Sequence, residues 1–232
     1  NKDFEDTIAV DRNAIEDDQY GVYSPMFRAL GEAVAAHYDE MVWPLLKAGA
    51  KTLCYDGQNF FDTDHPVRGV GTAKNFFGAA GANGDASNAI KWYLMDLRRT
   101  FKPIVMQIRK RADNIVRKDR DEDENVFMRK EFVYGVDSRD NVGFGLWQMA
   151  SACTADLTRA NFTPVYSAME ELKGDEGRPL GLKPTHLIVP PSLREAATRL
   201  MENEFIPTAD GNASESNPIK GWAEVVVVPW LA

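Results

Sequence analysis

Residues 185–203 read THLIVPPSLREAATRLMEN: an unbroken apolar run, two prolines, and then a segment with helical spacing. An apolar run without alternation reads as a strand buried on both faces, and Ser192 followed three residues later by Glu195 reads as a capping box opening a helix. WAEVVVVPWL, at 222–231, supplies a final strand. The three pieces together read as a β-α-β unit.

Upstream of this unit lie the helical stretch FTPVYSAMEELK at 162–173 and the loop GDEGRPLGLKP at 174–184. Before them come three strand-like runs, KPIVMQIR at 102–109, NVFMRKEFVYGV at 125–136 and NVGFGLWQMA at 141–150. The acidic DRDEDE and the turn DSRDN separate the three, which predicts an antiparallel meander. Nearer the start, FEDTIAV at 4–10 suits a short strand and IEDDQYG an acidic turn. The strongest helical signal follows. Ser24 reads as N-cap with Pro25 in the first turn, and Met26, Leu30, Ala33, Val34 and His37 recur at spacings of three and four. DEMVWPLLKAG continues it, with Pro44 expected to kink the pair or open a second helix, and Gly49 to stop it. Residues 69–88, GVGTAKNFFGAAGANGDASN, hold five glycines and read as a long mobile loop. These elements give an α+β class.

The chain has 232 residues, 44% of them hydrophobic, and a formal net charge of -8. That size and composition support a substantial core. The acidic balance argues against a protein that binds nucleic acid by neutralising phosphates. The one basic cluster, RKRADNIVRK at 109–118, is offset at once by DRDEDE and reads as an exposed strand or hairpin face. Two cysteines, Cys54 and Cys153, give no disulfide framework and read as core thiols. No apolar run approaches the roughly 20 residues that span a bilayer, so the expectation is a soluble protein with no membrane partner. The chain opens on NKDFEDT instead of Met, and an upstream segment is expected.

FFDTDHPV, at 60–67, places Asp62, Asp64 and His65 close together, and these are the side chains a catalytic metal uses. His37, His65 and His186 are too far apart in sequence to act as spaced ligands, and no His-Glu-x-x-His motif occurs. The alternative is a structural turn, with Asp62 and Asp64 capping backbone N–H groups, Phe60 and Phe61 anchoring it in a core, and His65 as a hydrogen-bonded hinge. RGVGTAK lacks the full phosphate-binding pattern, no Gly-x-Ser-x-Gly elbow or papain-like cysteine motif appears, and DRDEDEN has Glu124 and Lys130 where a calcium loop needs Gly and Glu.

Five segments in register resemble the major head subunit of Mu-like phages and prophages. They are IEDDQYGVYSPMFRALG (15–31), LCYDGQNFFDTDHPV (53–67), VFMRKEFVYGVDSRDNVGFGLWQMA (126–150), KGDEGRPLGLKPTHLIVPPSLREAA (173–197) and SNPIKGWAEVVVVPWL (216–231). The resemblance implies the tailed-phage capsid fold first described for a Hong Kong phage, with a peripheral domain holding a spine helix, an axial domain and an extended loop. On that template residues 1–20 end the extended-loop region. Residues 21–150 are mainly peripheral, with the spine helix at 24–49, and 151–232 are mainly axial. It implies a virion capsid protein assembled in the bacterial host cytoplasm, an upstream arm, and no catalytic, cofactor-binding or metal residues. Its partners would be copies of itself in hexamers and pentamers, a scaffolding or protease protein during assembly, and enclosed double-stranded DNA held without specific binding. A tail or connector protein, and a metal-dependent hydrolase using Asp62, Asp64 and His65, are the rival readings.

Overall fold

The computed structural model describes residues 1–18, 21–207 and 214–232. The chain divides into two compact units, each built from two separate stretches: Asn1–Val42 with Met106–Val142, and Trp43–Val105 with Gly143–Ala232. The boundaries drawn at residues 20 and 150 therefore do not match the division. Residues 43–105 fold with the C-terminal part of the chain, because three of the five strands of their shared sheet come from there.

The first unit is a sheet with the helix Ser24–Lys47 along one face, the division falling after Val42 within that helix. Strand Lys2–Asp11 pairs antiparallel with strand Glu131–Phe144 over its whole length, from Lys2 opposite Asp140 to Asp11 opposite Glu131. Strands Ile104–Lys110 and Val116–Lys118 also pair with Glu131–Phe144. Alternation decides the faces. Asp3, Glu5, Thr7, Ala9 and Asp11 are exposed, whereas Phe4, Ile8 and Val10 turn inward, as do Val136, Ser138 and Asp140 of the partner strand. Phe27 meets Tyr134 edge-on at 4.8 Å, and Phe4 meets His37 at 4.4 Å. The inward stripe of the helix therefore includes Phe27, Leu30, Val34 and His37, while Met26 and Ala33 of the expected stripe point outward.

Several local expectations change here. DSRDN is not a turn: residues 137–141 lie inside the fourteen-residue strand, where Arg139 pairs with Asp3 and Asp137 with Lys110, so exposed charges occupy its outer face. Residues Glu124–Arg129, expected as strand, are a short helix ended by Lys130 in the left-handed region (φ 57°). The acidic turn after the first strand begins as a helix, Arg12–Glu16, capped by Asp11, and Gln19 and Tyr20 of IEDDQYG lie outside the described residues. Ser24 sits inside the first turn of the long helix, and Asp18 accepts from the N–H groups of Val22 and Tyr23 ahead of it. The helix also continues through Pro44. The carbonyl left without a donor, that of Glu40, belongs to an exposed residue and can turn to water.

The second unit is built on a five-stranded sheet ordered Glu224–Val227, His186–Val189, Trp92–Met95, Ala150–Cys153, Phe76–Phe77. The two outer pairs are parallel and the two inner ones antiparallel. The expected β-α-β unit is its first edge, with helix Arg194–Met201 as the crossover. The capping box does not form. Pro190 and Pro191 lead a tight turn straight into the helix, Leu193 stands at the cap, and Glu195 pairs with Arg199 one turn on.

The three inner strands are buried residue by residue apart from half-buried His186, as befits a sheet covered on both faces. Size alternates across it: Ala152 lies between Tyr93 and Phe76, so the large rings of both neighbours fill the space its methyl leaves. Residues 69–88 are accordingly not one long loop. They contain strands Gly71–Ala73 and Phe76–Phe77, and the two phenylalanines are core residues. Gly49 follows the long helix because a Cβ there would lie 2.6 Å from the Phe61 ring. Cys153 is buried, but Cys54 is only half-buried. Among the described residues no helix is long and apolar enough to cross a membrane.

Candidate functional site

Asp62, Asp64 and His65 do not converge on a common point. The His65 ring is fully buried, stacked on Trp147 with centroids 3.9 Å apart and planes 6° from parallel. Its Nδ1 faces Asp56 Oδ2 at 2.7 Å and its Nε2 faces Asn75 Oδ1 at 3.1 Å. Asp62 faces backbone instead, accepting from the N–H groups of Asn59 (3.2 Å) and Thr63 (2.7 Å). Asp64 is exposed, and a hydrogen bond shared with Asp62, together with its charge, pushes the Asp64 carboxyl up from its usual range. The capping role expected of both aspartates thus falls to Asp62. Among the described residues no group of three or more His, Cys, Asp and Glu side chains could hold a metal ion.

Asn75 organises this turn. Its amide NH2 donates to the carbonyls of Phe60 (2.8 Å), Ala150 (3.1 Å) and Trp147 (3.2 Å), and its Oδ1 accepts from the N–H of Asp62 at 3.0 Å. Three carbonyls around the NH2 group fix which way the amide points, so Oδ1 is the atom that faces His65. Both ring nitrogens of His65 then face acceptors, an amide oxygen on one side and a carboxylate on the other. The ring is thereby held on both edges while Trp147 holds its face. Asp56, Asn75 and Trp147 are the partners that reading FFDTDHPV by itself misses. The cue is an asparagine directly before two core phenylalanines, where only a saturated amide is tolerated.

Two further buried carboxylates, one in each unit, are also paired. In the first, His37 Nε2 lies 3.1 and 3.2 Å from the two carboxylate oxygens of buried Asp140. In the second, burial opposes the charge of Asp96, but the Arg98 guanidinium and the N–H groups of Lys183 and Arg98 outweigh it and hold the carboxyl below its usual range. Burial pushes the thiols of both Cys54 and Cys153 up, the opposite of an activated nucleophile.

The surface of each unit also carries exposed large apolar side chains. On the second unit Tyr55, Phe101 and Leu146 are exposed around a hollow of about 680 Å³. On the first, Phe127 and Met128 are exposed on the helix Glu124–Arg129. Exposed large apolar groups of this kind mark contact surfaces.

The family model described as "Mu-like prophage major head subunit gpT" matches residues 1–231. The major capsid protein of Escherichia phage Mu is 41% identical over 235 residues, spanning 100% of this chain and 75% of that protein. The Mu-like prophage FluMu major head subunit of Haemophilus influenzae is 45% identical over 208 residues, spanning 88% of this chain and 67% of that one. Among solved structures, the bacteriophage JBD30 capsid matches with a TM-score of 0.81 and 32% identity, over 100% of this chain and 75% of the capsid chain. The family match along residues 1–231, with relatives 41% and 45% identical, leads to one conclusion: this chain belongs to the Mu-like prophage major head subunit family.

Proposed function

We propose that copies of this chain associate into the icosahedral shell of a Mu-like phage head and enclose its double-stranded DNA. It is a capsid component of the virion and a structural protein, not an enzyme. The observation that carries this reading is the agreement of the entire chain, in sequence and in shape, with capsid subunits. The exposed apolar surfaces of both units support it, since they are suited to contacts between copies.

In this reading the first unit, with the helix Ser24–Lys47 as spine, is the peripheral domain, and strand Lys2–Asp11 ends the extended-loop region. The second unit, with its five-stranded sheet, is the axial domain, so residues 43–105 move from the peripheral to the axial assignment. The copies form hexamers and pentamers, and a scaffolding or protease protein acts during assembly. DNA is contained, not specifically bound. The net charge of -8 supports that last point, because a shell that gripped phosphates would hinder packaging and release.

Electron microscopy of assemblies formed by the purified protein tests the reading. Closed shells built of five- and six-fold clusters are expected. Rings or tubes of fixed subunit number would overturn it in favour of a connector or tail component.

A further inference from the structure

Phe127 and Met128 are 80% and 70% exposed, among the highest values for large apolar side chains in the described residues. They are held firmly from beneath: Val126 of the same helix is buried, and Asn125 donates to the carbonyls of Lys118 (2.9 Å) and Glu131 (2.6 Å) at the flanks of the helix. The pair is therefore a fixed knob. Ahead of it runs DRDEDE at 119–124, strongly acidic despite Arg120, and behind it stand Arg129, Lys130 and Glu131.

The second unit has the converse shape. The hollow of about 680 Å³ is rimmed by Tyr55, Phe101 and Leu146, with buried Trp147 and Met149 also in its lining. Phe101 is 72% exposed and stands in the run RRTFK, between Arg98 and Arg99 on one side and Lys102 on the other. Lys173 and Asp175, opposite in sign, also line the hollow, and Glu176 beside them is paired with Arg68. The Arg99 and Lys102 flank is thus the charged one, and it is basic.

We propose that the Phe127–Met128 knob of one copy seats in the hollow of a second copy. Its acidic run lies against the Arg99 and Lys102 flank. A buried aromatic and a methionine are the kind of anchor that dominates an interface, and the opposite charges of those two stretches set the direction of docking. The knob and the hollow are different surfaces, so the contact is head-to-tail. Each copy offers both halves, so the association propagates beyond a dimer instead of stopping there. This inference rests on the reading that the chain assembles with copies of itself.

Two variants test it: Phe127→Ser with Met128→Ser, which removes the knob, and Phe101→Ser with Leu146→Ser, which removes the rim of the hollow. All four positions are exposed, and circular dichroism checks that each variant keeps the fold. Under conditions where the unaltered chain associates, each variant alone should sediment as a monomer, with association weakened by about thirtyfold or more. Mixed in equal amounts they should form a heterodimer and stop, since one intact knob and one intact hollow remain. Arg99→Glu should weaken association, and Asp121→Lys in the partner should restore part of it. Either variant assembling like the unaltered chain, or a mixture that stays monomeric, overturns this docking and leaves the shell-forming reading in place. If the unaltered chain forms no assembly at any concentration or salt, both fall together.

Discussion

The two sheets of this molecule are built to opposite rules. In the second unit three short strands, Trp92–Met95, Ala150–Cys153 and His186–Val189, are buried almost without interruption, and helices cover them. In the first, strand Lys2–Asp11 is ten residues long, yet only Val10 of it is fully buried, and its outward row of Asp3, Glu5, Thr7, Ala9 and Asp11 is exposed. The second sheet draws its stability from packing on two faces. The first draws it from one helix-facing stripe, a few aromatic contacts and the His37–Asp140 pair. A subunit divided this way has one sheet buried on both faces and another with an exposed outer face.

Substitutions of matched kind in the two sheets give the sharpest test. Trp92→Ala should lower the free energy of unfolding by about 3–5 kcal/mol in urea titrations, because a fully buried indole and its hydrogen bond to the Ala155 carbonyl (2.9 Å) are both lost. Ile8→Ala in the first sheet should cost about 1 kcal/mol, since that side chain is only half-buried. Equal costs would erase the contrast. Asn75→Ala should come next, at about 2–4 kcal/mol, because three carbonyls and the Asp62 N–H lose their partner at once. If the turn tolerates alanine there without loss, Asn75 does not organise it.

Asp96 brings pH into the comparison. Its folded carboxyl titrates below the unfolded value of about 3.9, so the stability it contributes is complete above that pH and is lost as pH falls through the lower folded value. Asp96→Asn should cost about 1–2 kcal/mol at neutral pH and flatten the acid limb of the stability profile. An unchanged slope below pH 4 would assign that limb to other carboxylates.

The smallest effects belong to the turn that first suggested a metal. Asp62→Asn should cost about 0.5–1 kcal/mol, whereas Asp64→Asn should leave stability unchanged or raise it by relieving the contact with Asp62. Stoichiometric zinc or manganese in the purified protein, lost in these variants, would contradict the structural role. Within the glycine-rich stretch, hydrogen exchange should be slow at Phe76 and fast at Ala86 and Ser87, because one is a core strand and the others are exposed.

What could be read from the sequence divides along the same line. The β-α-β edge was readable because the helical spacing of SLREAATRLMEN stands between two apolar runs, Leu187–Val189 and Val225–Val228, each bounded by proline. Trp92–Met95 was not, since four apolar residues between Lys91 and Asp96 carry no period that separates strand from helix. Phe76 and Phe77 were hidden by the glycines around them. DSRDN looked like a turn because strand formers are absent from it, and only pairing with Lys2–Asp11 makes it a strand. In the histidine turn the local part, Asp62 with its backbone donors, followed from residue type. Trp147, 82 positions beyond His65, is brought to it only by the sheet.

The strand order of the five-stranded sheet also has a consequence in time. Its neighbours come from residues 76–77, 150–153, 92–95, 186–189 and 224–227, so every pairing spans tens of residues of chain. Contacts that distant form slowly, because a large loop must close before any of them is rewarded. During synthesis the sheet cannot acquire its last strand until Val227 has emerged. Until then Leu187, Ile188 and Val189 present an open edge, a hazard in a crowded cell. A protein needed in many copies at once therefore depends on holding partly made chains apart, and its yield should respond to chaperone supply and to the rate of translation before it responds to the stability of the finished fold.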